Sequence, residues 1–204
     1  MVLPFLCAAL EAPKDIEAAL TPDVIARLEK GDIVTVKKGS KDAGGKSRGQ
    51  GRAMVLINKP PAEVWKYLTD HEAYPEYMPR LISIEKYTVP QASGLHNEIG
   101  LRETVKIPFS KVQYFVIHTM DKDAFVVAWR LDATKQNDIK DTAGTWALRP
   151  YGPGNAKTIA VYSLTVDSGM YFPKFIEDFF MNQDLPAVPK ALRKRVESGG
   201  TYKR

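Results

Sequence analysis

The chain has 204 residues, of which 44% are hydrophobic and 26% charged, and its net charge at pH 7 is +5. This composition is typical of one globular domain large enough to bury a core, and it excludes a collagen-like, wholly disordered or polytopic membrane protein. With a single cysteine, Cys7, the chain can form neither an internal disulfide nor a thiolate metal cluster. Cysteine usage therefore indicates no redox compartment.

The N-terminal segment is open to two interpretations. Residues 2–10 are almost entirely apolar but too short to span a membrane. They resemble the end of a secretory signal, although only Met1 precedes them and the usual positively charged segment is missing. Residues 1–20 are therefore either the remnant of an export signal or a short helix packed on the domain. An exported, periplasmic location and a cytoplasmic one are equally compatible with this segment.

A helix, a strand and a loop are predicted next, over residues 21–51. Thr21 is a good N-cap, a proline follows it, and Gly31 ends the helix. Apolar and polar residues then alternate over residues 33–38, as in a strand. Residues 39–51 are rich in glycine, serine and lysine and carry no apolar side chain larger than alanine. We expect a mobile basic loop there.

Residues 40–47, SKDAGGKS, differ by one position from a phosphate-binding loop. Such a loop must lead directly into a helix whose first amides bind phosphate, whereas a strand is predicted after residue 52. This basic stretch also contains no aromatic side chain on which a nucleic-acid base would stack. Neither nucleotide binding nor nucleic-acid binding is therefore expected.

Residues 52–197 show the element order of one α+β domain. A strand over 53–58 is followed by a helix over 62–70 and a second short helix, which Pro79 ends. Turn residues then separate six predicted strands, over 81–89, 96–107, 110–120, 124–131, 141–150 and 157–166.

The final predicted element is a long helix over residues 173–197, which Pro186 and Pro189 are expected to break or kink. Residues 198–204 are predicted to form a basic tail. Together these elements predict an α+β fold in which a curved antiparallel sheet wraps around the C-terminal helix.

Three motifs carry a resemblance to a known family. They are INKPPAEVWKYLTD at residues 57–70, YPEYMP at 74–79 and GTWALRP at 144–150. The chain resembles the START-related SRPBCC superfamily, in its polyketide cyclase/dehydrase and lipid-transport branch, and is coenzyme-Q-binding-protein-like. The resemblance covers residues 52–197 and implies a helix-grip fold with an apolar cavity between sheet and C-terminal helix. Members bind sterols, lipids, quinones or polyketides there, and a minority catalyse cyclisation or dehydration.

Strand alternation selects a set of inward-facing side chains as candidate ligand contacts. An aromatic ridge on the last helix is expected to face them. The candidates are Tyr114, His118, Trp129, Trp146, Tyr162, Phe172, Ile176, Phe179 and Phe180. They would either line a ligand cavity or fill the core, and the resemblance favours a cavity.

Two titratable residues are the candidates for acid/base catalysis. His118 lies on an inward face, and Glu103 is expected to accompany it, with a shifted pKa if it is buried beside His118 or Arg130. Structural roles are the commoner alternative, since a lone interior histidine is more often simply hydrogen-bonded and such a glutamate more often forms a salt bridge at the sheet's rim. A metal site is not expected because His71 and His96 lie far from His118 in sequence. No dinucleotide fingerprint is present, so no cofactor is expected.

The leading hypothesis is a non-enzymatic carrier of a small hydrophobic ligand such as a lipid, quinone or sterol-like molecule. One alternative is a cyclase, dehydratase or hydrolase that uses His118, Glu103 and Tyr114. Another is a protein-interaction module with a filled core. Basic residues near the C-terminus suggest docking on an anionic membrane, unless they only form a solvated helix face. These residues are Lys190, Arg193, Lys194, Arg195, Lys203 and Arg204.

Overall fold

The structure, a computed structural model, describes residues 12–41, 47–89, 97–169 and 180–204. Six elements come first: α1 (Ala12–Ala19), α2 (Pro22–Glu29), β1 (Val34–Lys41), β2 (Ser47–Ile57), α3 (Pro61–Leu68) and α4 (Tyr74–Tyr77). The remaining elements are β3 (Leu81–Tyr87), β4 (Glu98–Ile107), β5 (Ser110–Asp121), β6 (Val126–Leu131), β7 (Asp141–Tyr151), β8 (Lys157–Asp167) and α5 (Leu185–Glu197).

Within these ranges, eight strands form one sheet in the order β1-β2-β8-β7-β6-β5-β4-β3. Every neighbouring pair is antiparallel. The helices α3 and α5 pack on the inner face of this curved sheet, where they enclose a core that includes Val64, Leu68 and Leu192. The predicted α+β helix-grip fold is confirmed.

The N-terminal helices cover the outer face of the same sheet. Ile16 of α1 and Leu28 of α2 are buried against Met54 and Val161, which point away from the inner core. Because β2 is thus covered on both faces, its residues 53–57 form a continuous apolar run instead of an alternating one. The described part of the N-terminal segment is a helix packed on the domain.

The predicted mobile loop over residues 39–51 is contradicted at residues 39–41 and 47–51, which belong to paired strands. β1 and β2 pair without interruption from Val34 opposite Met54 to Lys41 opposite Ser47, and only residues 42–46 lie outside the described part of this hairpin. Backbone hydrogen bonds hold these strands, so they need no large apolar side chains. Residue 52, the predicted start of the main domain, falls inside β2.

The C-terminal helix runs without a break through its prolines. A π-helical segment, Phe180–Asp184, leads directly into α5, and residues 173–179 lie outside the described ranges. Pro186 occupies the first turn of α5, where a missing N–H group costs little, and Pro189 follows within the helix. The expected break between residues 185 and 197 is therefore absent.

Residues 198–204 are not a free tail but fold back onto the domain. The Arg204 amide donates to the Glu76 carbonyl oxygen at 3.0 Å, and its guanidinium donates to the Leu81 carbonyl oxygen at 2.6 Å. Tyr202 packs against the inner core.

The inner face depends on a close approach at Gly144 of β7. A Cβ atom there would overlap the Trp129 ring and the Ser163 carbonyl oxygen, and that oxygen belongs to a paired strand and cannot move aside. We expect Gly144→Ala to lower the free energy of unfolding by about 2 kcal/mol or more, measured by chemical denaturation. The control, Ala143→Ser on the exposed face of β7, should stay within about 0.5 kcal/mol of the parent. Equal stability of both variants would contradict the close packing.

Candidate functional site

A cavity of about 360 Å³ lies between the inner face of the sheet and the start of α5. This volume falls within the range of small-molecule sites. Its walls are mostly aliphatic and come from alternate residues of β4, β5 and β8 together with α5. They include Val105, Ile107, Val112, Val116, Leu164, Val166, Leu185 and Val188.

The cavity follows the inner face from the middle of the sheet to one of its ends. We call this end, where Ile107, Ser110, Asp141 and Asp167 begin or finish their strands, the hairpin end. The opposite end of the inner face is filled by the core beneath α3. The interpretation of a wholly filled core therefore does not hold for the described part of the chain.

Five of the predicted ligand contacts line the cavity, namely Tyr114, His118, Trp129, Trp146 and Tyr162. They come together because the even positions of β5 face inward, as the alternation predicts, and pair with inward positions of β4 and β6. Phe172, Ile176 and Phe179 lie outside the described residues, as does the side chain of Phe180.

A row of aromatic rings forms the mid-sheet wall of the cavity. The Trp129 and Tyr162 rings stack with their centroids 5.6 Å apart, and the tilted ring of Trp146 lies 4.7 Å from that of Tyr162. The ring of His118 continues the row, 6.0 Å from that of Trp129. These rings make that wall of the cavity aromatic.

The ring of His118 contacts a second buried histidine, His71, which the sequence pattern did not place beside it. Its Nδ1 atom lies 3.2 Å from Nε2 of His71, and the exposed fractions of the two side chains are only 6% and 2%. Burial lowers the pKa of His71 to about 4 and that of His118 well below its usual value. Both imidazoles are therefore neutral at pH 7, and a single N–H group joins them.

Glu103 of β4 is the acidic group of the cavity, and tyrosines surround it. Tyr114, its cross-strand neighbour on β5, donates a hydrogen bond to its carboxylate. Burial raises the pKa of Tyr74 and Tyr162, and the nearby charge of Glu103 raises both further. Burial raises the pKa of Glu103 to about 7, and the Tyr114 hydrogen bond only partly opposes this effect. Near neutral pH the carboxyl group exchanges readily between its two forms.

The structure records other contacts for the two partners that were predicted for Glu103. Arg130 points elsewhere and donates to the Glu98 carboxylate at 3.3 Å, and His118 is paired with His71. Glu103 interacts with Tyr114 instead. Sequence alternation places a residue on a face, but it does not reveal which neighbour its polar tip reaches.

Charge is balanced where the cavity meets α5. Arg80, the cationic side chain among the described lining residues, donates to the Asp184 carboxylate at 2.7 Å. In the described lining, no cation is left for a ligand carboxylate.

In the part of the chain that the structure describes, no three histidine, cysteine or carboxylate side chains come together as metal ligands. His96 lies outside that part. No helix within the described ranges is long and apolar enough to cross a bilayer.

Comparison with solved structures supports the fold assignment. TTHA0849 from Thermus thermophilus aligns with a TM-score of 0.60 and 20% identity, covering 74% of this chain and 98% of that one. A STAR-related lipid transfer protein fragment from Xanthomonas axonopodis gives 0.58 and 18%, covering 79% and 98%. The Zhui aromatase/cyclase from a Streptomyces species gives 0.54 and 16%, covering 84% and 100%. At these identities the likeness establishes the fold alone.

A search of curated proteins finds no match. The family described as "Polyketide cyclase / dehydrase and lipid transport" matches residues 57–193, which is more than half of the chain. The motifs, the helix-grip fold and this match agree, and the chain therefore belongs to the polyketide cyclase/dehydrase and lipid transport family of the START-related SRPBCC superfamily.

Proposed function

We propose that the chain binds one small hydrophobic molecule with an uncharged oxygen-bearing head, such as a quinone, a sterol-like alcohol or a neutral lipid. The observation that carries this proposal is a cavity of about 360 Å³ whose aliphatic and aromatic walls contain one polar corner, Glu103 with Tyr114. A ligand site of this kind obtains affinity from its apolar walls and orientation from a few polar groups.

The polar corner suits a neutral head better than an anionic one. A ligand carbonyl or hydroxyl group can accept a hydrogen bond from protonated Glu103 or from the Tyr114 hydroxyl. A carboxylate would lie beside an acidic group with no unpaired cation in the described lining, and burying an unpaired charge is costly. Free fatty acids are therefore expected to be poor ligands.

The aromatic wall adds to the apolar surface that a ligand can contact. Trp129 and Tyr162 line the cavity together with Glu103, so the apolar body of a ligand can lie against the rings while its oxygen reaches Glu103. The family match is consistent with a hydrophobic ligand, and the Xanthomonas relative is named as a lipid transfer protein.

Cavity occupation can be tested with a filling substitution. Leu164 lines the cavity, whereas Thr165, the next residue of β8, is exposed on the other face. Leu164→Trp should weaken the binding of menadione, an uncharged bicyclic quinone, by at least about tenfold in isothermal titration calorimetry, because the added ring occupies the ligand's volume. Thr165→Trp is the matched control and should bind like the parent.

In the same titration, decanoate should bind the parent at least about tenfold more weakly than menadione. Equal loss of menadione affinity in both tryptophan variants would place the site elsewhere. A parent that binds no neutral ligand, with none found by native mass spectrometry after purification, would overturn the ligand-binding proposal.

Glu103 should also make the free energy of unfolding of the unliganded protein depend on pH. Its pKa is about 7 in the folded chain against an ordinary 4.5, so the folded state keeps a proton that the unfolded state loses between these pH values. The contribution of Glu103 to stability is thus present below pH 4.5 and is lost as the pH rises through 7, by about 3 kcal/mol in total.

Glu103→Gln removes this loss, so its stability relative to the parent should rise by about 3 kcal/mol between pH 4.5 and pH 8 in urea denaturation. The two histidines change stability in the opposite direction below pH 6.5, but they are common to both proteins and cancel in the difference. Glu85→Gln, an exposed position on β3, controls for the loss of one carboxylate. A pH-independent difference would show that Glu103 is not buried as described.

A second candidate function rests on the same corner. A carboxyl group that titrates near pH 7 in an apolar cavity, with a tyrosine hydroxyl beside it, has the properties of a general acid/base in cyclisation or dehydration. If the chain is such an enzyme, the parent in D₂O should catalyse deuterium exchange next to the carbonyl group of a bound cyclic diketone. Glu103→Gln should abolish the exchange and retain binding. Binding without exchange in the parent would favour the carrier.

A further inference from the structure

The tip of the β4–β5 hairpin exposes an aromatic side chain to solvent. Phe109 is 96% exposed, compared with 59% for Val36 and 48% for Ile82, the other exposed large hydrophobic residues of the described chain. Isolated apolar residues on a surface are ordinary, but a phenylalanine that contacts almost nothing contributes no packing to the fold.

Phe109 is also unfavourable for the backbone at its position. Its φ angle is +67°, in the left-handed region where glycine and asparagine are preferred and a bulky side chain is strained. Neither the local conformation nor burial therefore favours phenylalanine at this turn. An external partner that receives the ring would account for it.

Two lysines flank Phe109 on the hairpin. Lys106 and Lys111 are cross-strand partners on either side of the turn, and both are exposed. The sequence contains no acidic residue between positions 104 and 120. Within the described ranges no carboxylate forms a salt bridge with either lysine. The hairpin thus presents an aromatic tip above two positive charges.

This hairpin lies at the hairpin end of the cavity. Ile107 and Val112, which flank the turn, line the cavity, and the Lys106 amide donates to the carbonyl oxygen of Arg80, another lining residue, at 2.8 Å. A surface that receives Phe109 would therefore lie next to the end of the cavity.

We propose that residues 106–111 dock the protein on an anionic lipid bilayer, with the Phe109 ring among the acyl chains near the headgroups and the two lysines at the lipid phosphates. Aromatic rings are favoured at that depth, and each nearby lysine adds electrostatic attraction to anionic lipid. A protruding tip of this size fits a bilayer better than a protein partner, because a stable protein interface buries roughly 800 Å² on each side.

The basic C-terminal residues are less suited to this role, because contacts within the protein occupy several of them. Arg195 and Lys203 both lie within salt-bridge distance of Glu76, at 2.9 and 3.4 Å, and Arg193 donates to the Gly31 carbonyl oxygen at 3.0 Å. The hairpin lysines have no such partners in the described chain, so we assign the membrane contact to the hairpin.

The test is co-sedimentation of the full chain with phosphatidylcholine vesicles that either contain or lack phosphatidylglycerol. We expect binding only to the anionic vesicles. Phe109→Asn should lower the partition coefficient about tenfold, because the apolar ring is lost. Its thermal stability should be unchanged or raised, since asparagine tolerates the left-handed conformation. Replacing both Lys106 and Lys111 by alanine should lower the coefficient roughly 30-fold.

Two matched controls separate docking from general attraction. Replacing Lys122 and Lys157 by alanine removes the same charge at the opposite end of the sheet, and Val36→Asn removes another exposed apolar side chain. Both should bind anionic vesicles like the parent.

The proposal is overturned if the parent binds no vesicles or if Phe109→Asn binds like the parent. It is also overturned if replacing Lys122 and Lys157 lowers vesicle binding as much as replacing Lys106 and Lys111. A dimer that sedimentation shows in the parent and not in Phe109→Asn would identify a protein partner and overturn it too. Vesicle binding is measured without added ligand, so the result does not depend on the proposed ligand.

Discussion

Successive side chains of a strand point to opposite faces of its sheet, and here the central strands are covered on both faces. On β2, Met54 packs outward beneath α1 and α2, whereas Val55 packs inward beneath α3 and α5. A slip of one residue would exchange the two sets, so this burial fixes the register strongly. Because the strands are paired side by side, the same register brings Glu103 opposite Tyr114 and His118 opposite Trp129, and thus assembles the candidate site.

The inner face is divided between core and cavity according to what covers it. At the end beneath α3, bulky side chains such as Trp65 and Leu148 meet the second half of α5 and fill the space. Toward the hairpin end, the described cover is the first turn of α5, with Leu185 and Val188, and it leaves about 360 Å³ open. The first turn of α5 lies close to β2, since a Cβ atom on Gly51 would be 2.6 Å from a Leu185 methyl group. The cavity is therefore a consequence of where the helix is placed on the sheet.

Burial disfavours charge on the titratable groups of the interior. Burial lowers the pKa of His71 and His118 and raises that of Glu103, so each of the three groups is shifted toward its neutral form. An interior with little charge favours uncharged ligands. Outside, Lys106 and Lys111 are exposed beside the same end of the cavity.

The sequence by itself determined the fold class and nearly every element, because hydrophobic period, proline and turn residues act locally. It also determined the inward face of β5, since alternation needs no knowledge of neighbours. Its pattern did not predict the strands at residues 39–41 and 47–51, because pairing between β1 and β2 compensates there for the missing apolar side chains. Only the tertiary structure decided that His71 meets His118 across 47 positions, that Glu103 turns to Tyr114, and that the inner face stays partly open. Such contacts depend on the relative placement of distant elements, which no local pattern encodes.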